Sequence, residues 1–315
     1  EDPELDSPTR AGTVYPVSEV SFDLKAGETL GVVGESGCGK STMARAVLQL
    51  PAPKSGSVSF EGTDLTKLSA EQVRKLRPEL QMVFQDPVSS LNPRRTVRQI
   101  VAEPLTIWRR GTRAERMARA DEMLRAVGLN PDHYGDRKPT QLSGGQRQRV
   151  AIARALVAGA KVLVCDEPVS TLDVSLRATV LNMLEDLQAE FDLSILFIAH
   201  DLAVVKNISD RVMVMYLGKV VEVGDSESLY AAPAHPYTLA LLESIPEPDP
   251  FAPEPRAAIA GDPPSPVNPP SGCRFRTRCA LAQDICAQIE PRLTPVSETH
   301  SVACHFPLVS VAAEN

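Results

Sequence analysis

The 315 residues carry 33 Lys and Arg against 40 Asp and Glu, a formal net charge of -7, so no global basic field is available to recruit nucleic acid or an anionic lipid surface. An aromatic content of 4% also argues against a base-stacking platform, and we expect no nucleic-acid partner. With 43% hydrophobic and 23% charged residues, collagen-like, disordered and small disulfide-scaffold classes are excluded; the length suits two domains, or one with a sizeable appendage.

Glu1–Leu5 (EDPEL) has neither the basic nor the apolar region of a signal peptide. Lacking an initiator Met, the chain is expected to be a portion of a longer polypeptide. Without a secretion signal the expected compartment is the cytosol, where cysteines serve metals or catalysis more often than disulfides. The apolar stretches at Ile195–Ala199 and Val212–Leu217 fall far short of the roughly 20 residues that a spanning helix needs.

In chain order, Thr29–Gly34 (TLGVVG) predicts a strand buried on both faces. It runs into GESGCGKS at residues 34–41, a phosphate-loop pattern, and then into a helix-forming stretch, Thr42–Leu50. Glycines at 34, 37 and 39 let backbone N–H groups wrap a polyphosphate at a helix N-terminus. Lys40 would reach the β and γ phosphates, and the Ser41 hydroxyl would ligate magnesium. Further on, Thr112–Val127 carries Met117, Ala120, Leu124 and Val127 at helical spacing. The nearby arginines (Arg109, Arg110, Arg113, Arg116, Arg119) read as a solvated face. A second helical run, Arg147–Ala158, follows LSGGQ at 142–146, a Ser-Gly-Gly turn able to bind an anion.

Within VLVCDEP (162–168), Val162–Asp166 predicts a buried strand whose end carries two acids, Asp166 and Glu167. Beside a phosphate loop, Asp166 suits magnesium and Glu167 suits orienting and deprotonating an attacking water. Ser194–Ala199 and Arg211–Tyr216 predict two more buried strands, and the set implies an α/β sheet. Between Pro246 and Pro270, 10 of 25 residues are Pro, which predicts an extended connector. Four of the six cysteines, Cys273, Cys279, Cys286 and Cys304, follow it at intervals of five, six and seventeen residues.

Taken together and in this order, the phosphate loop, Gln85, LSGGQ, the Asp-Glu strand, STLD (Ser170–Asp173) and His200 resemble the nucleotide-binding subunit of an ATP-binding cassette (ABC) transporter over residues 17–230. The resemblance implies an α/β fold: a P-loop ATPase with a RecA-like core sheet, an antiparallel β subdomain and a helical subdomain at about 86–153. It implies ATP and Mg2+ bound by Gly34, Ser36, Gly37, Cys38, Gly39, Lys40, Ser41, Thr42 and Gln85, with the metal on Ser41, Gln85 and Asp166. Catalysis would fall to Glu167, His200 and Lys40, with His200 sensing the γ-phosphate. A second such domain would face the first head to tail, presenting Ser143, Gly144, Gly145 and Gln146 to its partner's nucleotide, with Asp173 at the interface. Tyr15 is the sole aromatic before Phe22 and falls closer to the first strand than the family's adenine-stacking residue, while Cys165 and Val169 read as packing variants.

DPVSSLNPRRTV (86–97) and AHPYTLALLESIP (234–246) resemble the di- and oligopeptide (and nickel) importers of that family. This implies two transmembrane permease subunits, an extracytoplasmic substrate-binding protein acting indirectly, and a peripheral place on the cytoplasmic face of the cell membrane. Alternatives are an importer ATPase for nickel or haem, a soluble ABC ATPase of translation or repair, and a nucleotide-binding regulatory subunit. The expected division is a nucleotide-binding domain at 1–235, a His-Pro-Tyr element with linker at 236–270, and a cysteine module at 271–315. Four thiolates can hold tetrahedral zinc or a 4Fe-4S cluster, or remain metal-free thiols or disulfides. The spacing lacks paired C-x2-C knuckles, and the string resembles the cysteine segment of peptide-importer ATPases, some of which carry a 4Fe-4S cluster.

Overall fold

A computed structural model describes residues 16–245, 259 and 261–309 of the chain. Tyr15 and most of the proline-rich connector lie outside the described residues. Ten strands are formed among the described residues: β1 (Thr29–Val33), β2 (Ser59–Phe60), β3 (Thr63–Asp64), β4 (Leu80–Val83), β5 (Val162–Asp166), β6 (Ser194–Ile198), β7 (Arg211–Tyr216), β8 (Lys219–Asp225), β9 (Thr294–Pro295) and β10 (His300–Val302). Eight of them make one sheet in the order β4-β5-β6-β1-β7-β8-β10-β9, and β2 and β3 form a separate antiparallel pair.

The strands from β4 to β7 are parallel, with Gly31 opposite Phe197 in β6 and opposite Val212 in β7. Their apolar side chains alternate between two cores. Leu30, Val32, Val164, Leu196 and Ile198 pack with Met43 and Ala44 of the helix Lys40–Val47. Val33, Leu163, Cys165, Ile195 and Phe197 face the other way, into the larger core. A fully buried Leu, Ile or Phe contributes about 2 kcal/mol, so a sheet covered on both faces tolerates few polar positions. Gly31 is dictated by packing: a Cβ there would run into Val205 and Ser209, so the helix Leu202–Ile208 can lie close on β1 only over a glycine.

The middle of the chain is helical. Val97–Val101, Arg113–Ala126 and Gly144–Leu156 pack on one another through Val97, Ile100, Ala120, Leu124 and Val150, all fully buried. Each starts with a reciprocal capping box, Thr96 with Gln99, Thr112 with Glu115 and Ser143 with Gln146, satisfying backbone donors that a helix start leaves free. Of the apolar positions read from sequence, Ala120, Leu124 and Val127 are buried and Met117 is partly so. Arg109, Arg110 and Arg113 are exposed. Arg110 donates to Ala158 O and Arg119 pairs with Glu122.

Beyond β7 the sheet turns antiparallel. β8 pairs with β7, and β10, from the cysteine segment, pairs with β8 through His300 opposite Gly224 and Val302 opposite Glu222. The extension is thus docked on the sheet, not merely tethered by the connector. The Glu222 carboxylate is fully buried and accepts from Ala234 N–H (2.6 Å), His235 N–H (2.8 Å) and His300 Nε2 (2.7 Å), the partners a buried charge requires. Phe275 fits against Tyr216 and Tyr237, each at 5.2 Å between ring centroids.

Candidate nucleotide site

Four adjacent strands deliver the site residues from their C-terminal ends, where parallel α/β sheets bind ligands. After β1 the chain turns through Gly34–Gly39 into the helix Lys40–Val47. Gly39 has φ 106°, and a Cβ there would meet Pro16 O, so that turn requires glycine. Lys40 is buried and donates to Gly34 O at 2.6 Å and Glu35 O at 3.1 Å, which keeps its ammonium satisfied inside the loop. Cys38 is buried, Gly39 and Ser41 are half-buried, and Ser36, Gly37 and Thr42 are exposed on the loop. Burial pushes the Cys38 thiol up despite nearby Lys40, so it packs as an inert thiol.

After β5 come the two acids. Ser41 Oγ donates to Asp166 Oδ1 at 2.8 Å, the spacing of two ligands able to share one cation. Burial raises the Asp166 carboxyl above its usual range, with the Ser41 hydrogen bond opposing, a setting in which an added cation is favoured. Glu167 has φ 50°, a left-handed conformation that costs a non-glycine residue about 1 kcal/mol or more. Its backbone N–H donates to Ile198 O, tying the turn to β6. Its Oε2 accepts from Gln85 Nε2 at 2.9 Å and lies 3.4 Å from His200 Nδ1. Gln85 follows β4 and His200 follows β6, so the neighbours of β5 bring both side chains to one carboxylate oxygen. Ser41, Gln85 and Asp166 also line a cavity of about 650 Å3.

The signature residues sit elsewhere. Ser143 and Gly144 are exposed, Gly145 is buried near Leu176, and Gln146 is half-buried. Ser143 and Gln146 are used in their own cap, and Gln146 Nε2 also donates to Tyr134 Oη at 3.3 Å. Asp173, the N-cap of the helix Val174–Phe191, is exposed. The structure therefore gathers the phosphate loop with Gln85, Asp166, Glu167 and His200, and leaves Ser143, Gly144 and Asp173 on the surface, with Gly145 buried and Gln146 half-buried beside them.

Two residues that contact the phosphate loop were not singled out by sequence reasoning. Tyr237 Oη accepts from Glu35 N–H at 2.9 Å, and Arg278 forms a two-pronged pair with the Glu35 carboxylate at 2.7 and 3.0 Å. Tyr237 belongs to the His-Pro-Tyr string, which could have flagged it; nothing in the local pattern marks Arg278. The four extension cysteines are free, Cys286 buried and the others partly so, and all four line one small cavity with Phe275 and His305.

Two family descriptions match the chain: "ABC transporter" at residues 17–170, and "Oligopeptide/dipeptide transporter, C-terminal region" at residues 221–286. The oligopeptide transport ATP-binding protein AppF of Bacillus subtilis is 50% identical over 300 residues, 94% of this chain and 91% of that protein. A Brucella ovis protein named for peptide import and ATP binding is 52% identical over 296 residues, 94% and 93% of the two chains. The chain belongs to the ATP-binding subunits of the peptide-transport branch of the ABC transporter family. It is an ABC-type ATPase. Among solved structures, cbiO1 from Clostridium perfringens, part of the ABC transporter complex cbiONQ, aligns with TM-score 0.64 at 31% identity, covering 69% of this chain and 84% of that one. The dimeric ATP-binding cassette MJ0796 bound to ADP and Pi aligns with TM-score 0.63 at 30% identity, covering 70% and 94%. These relatives favour the transport reading over translation or repair.

In this ABC ATPase the cysteine segment leaves the cluster expectation without support. Among the described residues no group of three or more His, Cys, Asp or Glu side chains is arranged to hold a metal ion. The four thiols line one small cavity with Phe275 and His305. Neither the cluster nor zinc has a ready-made site, although four free thiols around one cavity are of the right chemical kind. Burial raises Cys273, Cys279 and Cys304, the last to about 11, so binding any metal must displace protons. No helix among the described residues is long and apolar enough to cross a membrane.

Proposed function

We propose that this subunit hydrolyses ATP in a head-to-tail pair with a second nucleotide-binding domain, separate or fused, and that the cycle drives import of di- or oligopeptides through two transmembrane permease subunits. It would act peripherally on the cytoplasmic face of the cell membrane, served indirectly by an extracytoplasmic substrate-binding protein. The observation that carries the reading is the convergence at the C-terminal ends of β4, β5, β6 and β1, which brings Gln85, Asp166, Glu167 and His200 round the phosphate loop. The names of the relatives and the match to the oligopeptide/dipeptide C-terminal region support the peptide class.

In this reading Gly34, Ser36, Gly37, Cys38, Gly39 and Thr42 contribute the phosphate cradle, and Lys40 leaves its loop carbonyls to meet the β and γ phosphates. Ser41, Asp166 and Gln85 hold magnesium, which neutralises charge on the phosphoryl oxygens when bound. Glu167, already hydrogen-bonded by Gln85 and close to His200, orients and deprotonates the water that attacks the γ-phosphorus, and the β–γ bridging oxygen leaves with ADP. Ser143, Gly144, Gly145 and Gln146 close over the partner's nucleotide, where they stabilise transition-state charge, with Asp173 at that interface. The exposure of Ser143, Gly144 and Asp173 in the single chain supports this assignment. The division at 1–235, 236–270 and 271–315 belongs to the same proposal.

The test is uptake of a labelled dipeptide and oligopeptide by cells in which Lys40→Ala replaces the wild type. Loss of uptake with normal subunit levels is expected, and unchanged uptake would reject the function. The 4Fe-4S cluster is kept only as a proposal, supported by four free thiols on one cavity. Anaerobic protein should carry about four iron and four sulfide per chain and lose both in Cys279→Ser; metal-free protein would reject it.

A further inference from the structure

The cysteine segment does more than lie against the sheet: between its first two cysteines it sends a cation to the phosphate loop. Arg278 is 5% exposed and its two terminal nitrogens reach Glu35 Oε2 at 2.7 Å and Oε1 at 3.0 Å, across 243 residues of sequence. Arg278 Nη1 also lies 3.4 Å from Tyr216 Oη. Glu35 is the second residue of the loop; its carbonyl accepts from Lys40 Nζ and its N–H is bonded by Tyr237. A carboxylate in a loop built to receive a polyphosphate is an electrostatic liability, because like charges near one another oppose binding. A two-pronged guanidinium removes the liability and fixes the side chain's direction.

We infer that Arg278 is a positioning residue of the nucleotide site: it neutralises and orients Glu35, so that the extension is an integral part of the ATP-binding machinery. The inference rests on the phosphate-loop reading above. Arg274, four residues earlier in the same segment, bonds Leu217 O and not Glu35, and so serves as the control for docking without the Glu35 charge pair.

The experiment measures ATP affinity of the full chain with a fluorescent nucleotide and Mg2+, alongside the thermal midpoint. Arg278→Ala is expected to raise Kd about fivefold or more, within the usual range of coupled sites. Adding Glu35→Gln to Arg278→Ala should bring Kd most of the way back, since the uncompensated charge is then gone. Arg274→Ala should lower the thermal midpoint with Kd within about twofold of wild type. Should Arg278→Ala not fold, Arg278→Lys, which keeps the charge and loses the fork, should give a smaller rise. An unchanged Kd in the Arg278 variants while Lys40→Ala loses binding would overturn the inference and leave the nucleotide site standing. So would a shift that Glu35→Gln does not relieve, or one that Arg274→Ala reproduces. Undiminished binding in Lys40→Ala would sink the nucleotide site itself, and the inference with it.

Discussion

His235 shows how one side chain links the extension to the sheet. It is fully enclosed, its Nδ1 accepts from Tyr237 N–H at 3.0 Å as the cap of the helix Pro236–Glu243, and burial pushes its pKa down to about 4. The folded chain therefore keeps it neutral while an unfolded chain protonates it near 6.5. Between those values the unfolded state binds more protons, so stability falls as pH falls from about 6.5 towards 4, by up to about 3 kcal/mol. His235→Asn keeps a capping oxygen and removes the titration. Urea denaturation across that window should show a flatter pH dependence in the variant; the same slope in both proteins would deny His235 that role. Glu222 offers a second check, because His300→Ala removes one of its three donors and should cost about 2 kcal/mol, read as a lower urea midpoint.

At the scale of the element, local chemistry wrote most starts and stops correctly. The strand expected at Thr29–Gly34, the loop and the helix after it were legible because buried β-branched runs, glycine spacing and a Lys-Ser pair each have one physical reading; the strand ends one residue earlier, at Val33, and the helix runs Lys40–Val47 against the expected Thr42–Leu50. The capping boxes explain why the helices of the middle region begin where they do. Thr112→Ala should therefore cost about 1 kcal/mol and lower Tm by about 2 °C through the helix Arg113–Ala126, measurable by thermal unfolding, with Thr112→Ser near wild type. Less legible were β9 and β10. They have two and three residues, too few to show a period, and the pairing of β10 with β8 spans almost eighty positions, so no window of sequence contains both of those partners.

Across the whole molecule, the same limit separates what sequence reveals from what it hides. Gln85, Asp166, Glu167 and His200 were each marked by a local string, and the parallel order β4-β5-β6-β1 explains why four distant strings meet. Arg278 carries no such mark, because its partner Glu35 is brought to it only by the folded extension. The sequence marks an extended proline-rich connector before the cysteine module, and Glu222, Phe275 and Arg278 bind that module to the sheet and to the phosphate loop. The cysteine spacing likewise brings four thiols to one cavity without forming, among the described residues, a group arranged to hold a metal ion, so the cluster stays a proposal. The ATPase account turns most directly on Glu167. In the assembled transporter, Glu167→Gln should bind ATP at least as tightly as wild type while steady-state hydrolysis falls about a hundredfold or more, and wild-type turnover in that variant would contradict the account.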